Sequence, residues 1–214
     1  AHPVAAATRV AVISDPVYAQ DDSRLHLAAA GDASSFRSDE QPRDKLTRLP
    51  YSGLEGRTVA RAFAGNHTIE ISGFDATPER VLELRSQPLS VLHFATHALA
   101  RRDAPEQSAL YLSEYGSSGA ANAESRLTAD EISRTGLRAD LVVLSACATG
   151  DGGAVRGEGV LGLTYAFLAN GSRSVVASLW PIQDASTARF MKEFYDAYRK
   201  SGRAADALRA AQLH

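Results

Sequence analysis

The sequence predicts an α/β fold in which a mostly parallel β-sheet is sandwiched between helices. Short runs rich in Val, Ile and Leu alternate along the chain with longer amphipathic segments, an order typical of a parallel sheet with helical crossovers. Several of the apolar runs are closed by Ser, Asp, Pro or Gly, as buried strands are where they enter a turn. A chain of 214 residues is long enough to bury one domain-sized core.

Six short apolar runs are predicted as strands. The most strand-like is 140–146, in which four consecutive Leu and Val residues stand between Asp and Ser. Runs of this length and composition favour buried strands over helices. The six predicted strands are residues 9–13, 67–71, 89–95, 110–112, 140–146 and 174–179.

Helices are predicted between these strands. Thr77 before Pro78 has the residue types of an N-cap and a first helical position. Thr128 and Glu131 have the spacing of a capping box, and Asp184 is expected to cap a helix with apolar residues three and four positions apart. The remaining predicted helices are 51–63, with Ser52 as its expected N-cap, 160–169 and 204–213.

The whole chain, residues 1–214, is expected to form a single domain. Residues 17–48 are polar and broken by Asp, Ser, Gly and Pro, so they predict a long surface loop. A second, glycine-dense loop is predicted at residues 150–159. The sequence begins with Ala1 instead of Met and lacks the pattern of a signal peptide. We therefore expect a fragment of a longer protein.

The composition excludes several classes of function. The formal net charge is −2, without an excess of Lys and Arg, so no nucleic-acid partner is expected. No apolar run approaches the roughly 20 residues of a membrane-spanning helix, so no membrane partner is expected. A single Cys rules out an internal disulfide and a thiolate zinc cluster. A reducing, cytoplasmic location fits this composition best.

Two predicted strands end next to side chains that can carry out chemistry. His97 follows the strand 89–95, and Cys147 follows the strand 140–146. A thiolate is a strong nucleophile, and an imidazole can give a proton to a leaving amine. Backbone N–H groups at Cys147 and in the turn after His97 are candidates for binding an oxyanion. The pattern therefore favours cysteine catalysis.

Structural alternatives stay open for these residues. A lone Cys in an apolar strand is often a small buried hydrophobic residue, and a His at a strand end is often structural. His93, inside its strand, is expected to be a buried core residue. His93, His97 and Cys147 also make a conceivable metal set. No neighbouring carboxylate or second Cys supports it, so we expect no metal and no other cofactor.

Seven blocks, in order along the chain, resemble the CHAT domain family, whose members have a caspase-like fold and are often attached to TPR repeats. The histidine block is residues 92–98, LHFATHA, and the cysteine block is residues 141–150, LVVLSACATG. The 50 positions between His97 and Cys147 match the spacing of the caspase pair. The other five blocks are residues 108–113, 127–132, 157–160, 174–180 and 191–195.

The resemblance implies a cysteine endopeptidase that cleaves a protein partner, with the nucleophile at Cys147 and the catalytic histidine at His97. Ala98 stands where many relatives in the wider caspase clan carry Gly, and its N–H is the expected second oxyanion donor beside that of Cys147. A bacterial source, regulated proteolysis in defence and a TPR or other regulatory domain in the full-length chain are also implied. The competing interpretation is an inactive CHAT module that serves as an interaction scaffold.

The resemblance also suggests where substrate specificity is set. Asp15 follows the first strand, where caspase-like enzymes place a residue of the pocket for the side chain before the scissile bond. Its alternative is a simple Asp-Pro turn. Asp184 is expected to line the same pocket or to cap a helix, and Trp180 to wall the substrate groove or to pack in the core. Two acidic residues in one pocket would favour cleavage after Lys or Arg.

Overall fold

The computed structural model describes residues 8–28, 46–101, 103–145, 158–178 and 184–213. The strands are β1 Arg9–Ser14, β2 His67–Ser72, β3 Leu89–Ala95, β4 His97–Leu99, β5 Ala109–Tyr111, β6 Arg126–Thr128, β7 Ala139–Leu144 and β8 Ser174–Ala177. The helices are α1 Ser23–Ala28, α2 Ser52–Ala62, α3 Pro78–Glu83, α4 Ala129–Thr135, α5 Glu158–Ala169, α6 Asp184–Ser201 and α7 Ala204–Gln212.

Five strands form one parallel sheet in the order β2-β1-β3-β7-β8. The central strand β3 places Phe94 beside Ile13 of β1 and beside Leu144 of β7. This sheet confirms the predicted fold class. Because all five strands run in the same direction, their carboxyl ends meet at one edge, where functional residues of such sheets gather.

Helices cover both faces of the sheet, and the alternation along β3 separates the two cores. Leu92 and Phe94 face a cluster that includes α3, α4 and α5, with Phe167 buried in it. Val91 faces a second cluster with α2, α6 and α7, where Phe194 is fully buried. Each such side chain contributes roughly 1.5–3 kcal/mol by leaving water, so the two cores hold the sheet edge in place.

The helix α2 lies very close to β1. A Cβ at Gly56 would collide with the side chain of Ser14, so glycine is required for this approach. Ser52, predicted as the N-cap of this helix, is instead its first residue, and no side chain caps it. The Ser52 hydroxyl accepts a hydrogen bond from the Asp15 N–H at 3.1 Å and donates one to the Leu49 carbonyl at 2.8 Å. The hydroxyl thus joins the turn after β1 to the segment before α2 instead of capping the helix.

Two of the other predicted caps are confirmed. Thr77 Oγ1 accepts a hydrogen bond from the N–H of Arg80, and Pro78 begins α3. At α4, Thr128 Oγ1 accepts from the N–H of Glu131 while Glu131 Oε2 accepts from the N–H of Thr128. Local residue chemistry therefore sets both helix starts, as the sequence predicts.

A second, antiparallel sheet of β4, β5 and β6 lies beyond the end of β3. The sequence predicts only its middle strand, because the other two have three residues each and show no measurable periodicity. His97 is the first residue of β4 and lies opposite Tyr111. The chain passes from the parallel sheet into the antiparallel one at this histidine.

The segment 17–48 is not entirely the loop that the sequence predicts, because it contains α1. Asp22 makes this short helix possible: its Oδ1 accepts a hydrogen bond from the N–H of Arg24 at 3.0 Å. Leu25 on the helix is only 4% exposed, so burial adds to the capping. Residues 29–45, and residues 150–157 of the predicted glycine-dense loop 150–159, lie outside the described residues. The last two residues of that predicted loop, Glu158 and Gly159, instead begin α5.

Candidate active site

The parallel pairing of β3 and β7 brings the two candidate catalytic segments to one edge of the sheet. Phe94 and Leu144 are paired in register, and the N–H of Ser145 donates to the Phe94 carbonyl at 2.8 Å. His97 comes three positions after Phe94. Cys147 comes two positions after Ser145 and lies outside the described residues. The main chain thus leads towards both candidate residues from neighbouring strand ends.

The imidazole of His97 is buried and held at one nitrogen. The residue is 4% exposed, and its Nε2 lies 2.7 Å from the carbonyl oxygen of Thr47. A carbonyl oxygen only accepts hydrogen bonds, so Nε2 must carry the proton. Nδ1 then has a lone pair, and it has no hydrogen-bond partner among the described residues. This nitrogen is available to take up a proton.

Burial also keeps His97 neutral. Removal of the ring from water lowers the pKa of His97 below its usual range, and the hydrogen bond to Thr47 offsets part of that change. A neutral imidazole with a free Nδ1 suits a general base, whereas an imidazolium could not accept a proton.

Tyr18 holds His97 from a second direction. The two rings are 4.8 Å apart at an interplanar angle of 58°, and the Tyr18 hydroxyl accepts a hydrogen bond from the His97 N–H at 3.1 Å. The same hydroxyl donates to the Tyr111 carbonyl at 3.3 Å. Burial raises the pKa of Tyr18 well above its usual range, so the hydroxyl keeps its proton. Both the backbone and the ring of His97 are therefore fixed.

The sequence did not reveal the contacts of Thr47 and Tyr18. Thr47 acts through its backbone carbonyl, which any residue could supply, so no side-chain pattern indicates it. Tyr18 is an aromatic residue in a polar segment that is buried at 3% exposure. An aromatic residue in an otherwise polar segment was the only signal that the sequence offered.

Ala98, the expected oxyanion donor, is buried in β4 opposite Leu110. The role of its N–H stays a prediction. Trp180 lies outside the described residues. Asp184 is the first residue of α6 instead of the N-cap that the sequence predicts, and its part in a substrate pocket stays a prediction.

Asp15 lies at the end of β1, on the same edge of the sheet as His97. Its carboxylate accepts two hydrogen bonds from Arg48, at 3.0 Å to Oδ1 and 2.9 Å to Oδ2. Arg24 adds an ion pair to Oδ2 at 3.2 Å. Two guanidinium groups from within the chain therefore already neutralise this carboxylate.

His93 lies on the opposite face of the sheet from the neighbouring Phe94 and is fully buried. Its Nδ1 is 2.9 Å from the Tyr195 hydroxyl, and its Nε2 is 3.0 Å from Oε1 of Glu55. The second pair is not aligned as a hydrogen bond. At 3.0 Å it is a close contact between two buried polar groups. His93 is thus the buried core residue that the sequence predicts.

The described part of the chain offers neither a metal site nor a membrane-spanning helix. Its residues contain no group of three His, Cys, Asp or Glu side chains placed to hold a metal ion. None of their helices is both long enough and apolar enough to cross a membrane.

The parallel sheet, with the candidate site at the carboxyl ends of its strands, defines a caspase-like α/β protein. The CHAT domain profile matches residues 2–214, so the chain belongs to the CHAT domain family. The fold is also similar to the crystal structure of the Arg-specific cysteine proteinase gingipain R, with a TM-score of 0.50 and 10% sequence identity. That match covers 96% of this chain but only 42% of gingipain R. No curated protein sequence gave a significant match.

Proposed function

We propose that this domain is a cysteine endopeptidase that cleaves a protein, with Cys147 as nucleophile and His97 as general acid and base. One observation carries the proposal. His97 is buried at the edge of the sheet where β7 leads to Cys147, with Nε2 anchored on the Thr47 carbonyl and Nδ1 left to exchange a proton. Membership of the CHAT domain family supports the same chemistry.

The proposed reaction follows from the state of His97. Nδ1 takes the proton of the Cys147 thiol, and the resulting thiolate attacks the carbonyl carbon of the scissile bond. Backbone N–H groups of Cys147 and Ala98 hold the oxyanion. The imidazolium then gives its proton to the departing amine, which leaves a thioester on Cys147. His97 next takes a proton from water, the hydroxide releases the acid product, and the proton returns to the thiol.

Thr47 and Tyr18 make His97 an effective proton carrier in this scheme. The Thr47 carbonyl accepts from Nε2 in both protonation states, so the ring keeps one orientation as Nδ1 gains and loses its proton. Tyr18 prevents the ring from swinging away, because it contacts the ring and binds the backbone N–H of the same residue. Such fixed placement is worth a large part of the rate acceleration in many enzymes.

Cleavage after Lys or Arg is part of the proposal. Asp15 is paired with Arg24 and Arg48, so a basic substrate side chain would have to displace one of these arginines to reach it. Asp184 and Trp180 are the remaining candidates for the pocket. The proposal further includes a cytoplasmic location and control by a TPR or other domain of a longer bacterial protein, in a defence pathway.

The direct test is the cleavage of a positional-scanning peptide library by wild type and by Cys147→Ala. We expect the wild type to cleave and the variant to lose all cleavage while it unfolds at the same temperature. Equal cleavage by both proteins would refute the assignment of the nucleophile. No cleavage by either would favour an inactive scaffold. A preference for acidic or uncharged residues before the scissile bond would contradict only the proposed cleavage after Lys or Arg.

A further inference from the structure

We propose that Asp15 is a positioning residue for catalysis, and that it works by holding Thr47 and Tyr18 against His97. Asp15 belongs to a group of four charged side chains, Asp15, Asp22, Arg24 and Arg48, which we call the Asp15 cluster. The effect on turnover rests on the function proposed above. The effect on the imidazole of His97 does not, because it depends only on contacts among described residues.

Every polar group of Asp15 is bound. Its N–H donates to Ser52 Oγ at 3.1 Å, and its carbonyl accepts from Nη1 of Arg24 at 2.9 Å. Its carboxylate accepts a two-point contact from Arg48 and an ion pair from Arg24. Its φ angle is +50°, a left-handed conformation that Asp and Asn tolerate better than other residues with a Cβ. This is the environment of an anchored structural group.

The first connection runs from Asp15 to Thr47. Arg48 is the next residue after Thr47, and the fork of its guanidinium fixes it on both carboxylate oxygens of Asp15. Ser52 ties the same segment again, because its hydroxyl bonds both the Asp15 N–H and the Leu49 carbonyl. Both contacts involve residues just C-terminal to Thr47, and they hold its carbonyl oxygen 2.7 Å from Nε2 of His97.

The second connection runs from Asp15 to Tyr18. Arg24 donates to the carbonyls of Asp15 and Pro16 and binds Asp22 through two hydrogen bonds of 2.9 and 2.7 Å. The hydrogen bond from Arg24 lowers the pKa of Asp22 to about 2, so this pair stays ionised at neutral pH. Arg24 thereby closes the loop 15–22, from which Tyr18 reaches His97.

This role and the role of a substrate-pocket acid predict opposite effects for the loss of Arg48. If Asp15 is a positioning residue, removing Arg48 frees the Thr47 carbonyl and lowers turnover for every substrate. If Asp15 binds a cationic substrate residue, removing Arg48 removes a competing cation and raises cleavage after Arg. The arginine side chain is 42% exposed, so Arg48→Gln should fold even where a change at Asp15 does not.

The first experiment measures the ring of His97 directly. We would record imidazole ¹⁵N shifts for wild type, Asp15→Asn, Arg48→Gln and the control Asp21→Asn, with His97→Gln for assignment. Asn tolerates the same φ, and Asp21 is an exposed residue of the same loop. We expect one tautomer, protonated at Nε2, in wild type and control, and a mixture in the two cluster variants. An unchanged tautomer in both cluster variants would overturn the proposal.

The second experiment compares matched peptides with Arg or the uncharged citrulline before the scissile bond. We expect kcat to fall about 10- to 100-fold for both peptides in Asp15→Asn and in Arg48→Gln, with KM little changed. A loss confined to the Arg peptide in Asp15→Asn, with a gain in Arg48→Gln, would overturn it and assign Asp15 to the pocket. If the wild type cleaves nothing, the proposed function fails, and the tautomer measurement still decides the role of Asp15.

Discussion

His93 and His97 are four residues apart and belong to the same sequence block, yet the fold gives them opposite surroundings. Both nitrogens of His93 face buried polar groups, the Tyr195 hydroxyl at 2.9 Å and the Glu55 carboxylate at 3.0 Å. His97 has one nitrogen anchored, and the other has no partner within the described ranges. A histidine with both nitrogens occupied stabilises a fold, whereas one with a free nitrogen can exchange protons.

The contacts of His93 explain why it has a structural role. Glu55 comes from α2, His93 from β3 and Tyr195 from α6, so one buried polar chain joins two helices to the sheet. Burial raises the pKa of Tyr195 well above its usual range, and the charge of Glu55 adds to the effect. The protonated hydroxyl can therefore donate to Nδ1 while Nε2 faces the carboxylate.

The largest expected effect separates the two histidines by activity. His97→Ala should lower kcat roughly 10²–10⁴-fold, because the reaction loses its proton carrier. It should lower the free energy of unfolding by only about 1–3 kcal/mol, because the Thr47 carbonyl loses its hydrogen-bond donor. Peptide hydrolysis and urea unfolding measure the two quantities. His67→Ala is the matched control, since His67 is exposed on the edge strand β2. A His97→Ala enzyme as active as this control would contradict the assignment.

The next effect concerns stability alone. Glu55→Ala should lower the free energy of unfolding by about 1–3 kcal/mol, because it leaves Nε2 of His93 without its polar partner in the core. Glu70→Ala on the exposed side of β2 provides the comparison. Equal unfolding midpoints in urea for the two variants would show that the buried pair does not stabilise the fold.

The smallest effect is a dependence of stability on pH. The folded state lowers the pKa of His97, whereas the unfolded chain titrates near 6.5. Below about pH 6.5 the unfolded state therefore binds more protons, and stability is lost as the pH falls towards the folded pKa. His97→Gln lacks this contribution, so its unfolding free energy should fall less between pH 7 and pH 5. Parallel pH profiles for wild type and variant would argue against it.

The sequence predicted the parallel sheet and the positions of its strands because buried strands consist of consecutive apolar residues. It also made His97 a candidate, since a reactive side chain after such a run stands out. The short strands β4 and β6 gave no such pattern, although β4 begins at His97. A hydrophobic alternation cannot be recognised in a strand of only three residues.

The supports of His97 could not be predicted, for two physical reasons. Thr47 contributes a backbone carbonyl, and it reaches a residue 50 positions further along the chain. Arg24 and Arg48 both come from the segment predicted as a surface loop, so nothing in their local sequence pairs them with Asp15. Such contacts are set by tertiary packing, and they appear only when the strands have been placed side by side.

The central claim, that His97 activates Cys147, is tested most directly by the rate at which Cys147 is modified. A peptidyl acyloxymethyl ketone would be added to wild type and to His97→Ala, and adduct formation followed by intact mass and peptide mapping. We predict one adduct on Cys147 in wild type, formed at least tenfold faster than in His97→Ala. Equal rates in the two proteins, or labelling only after the protein is unfolded, would contradict the claim.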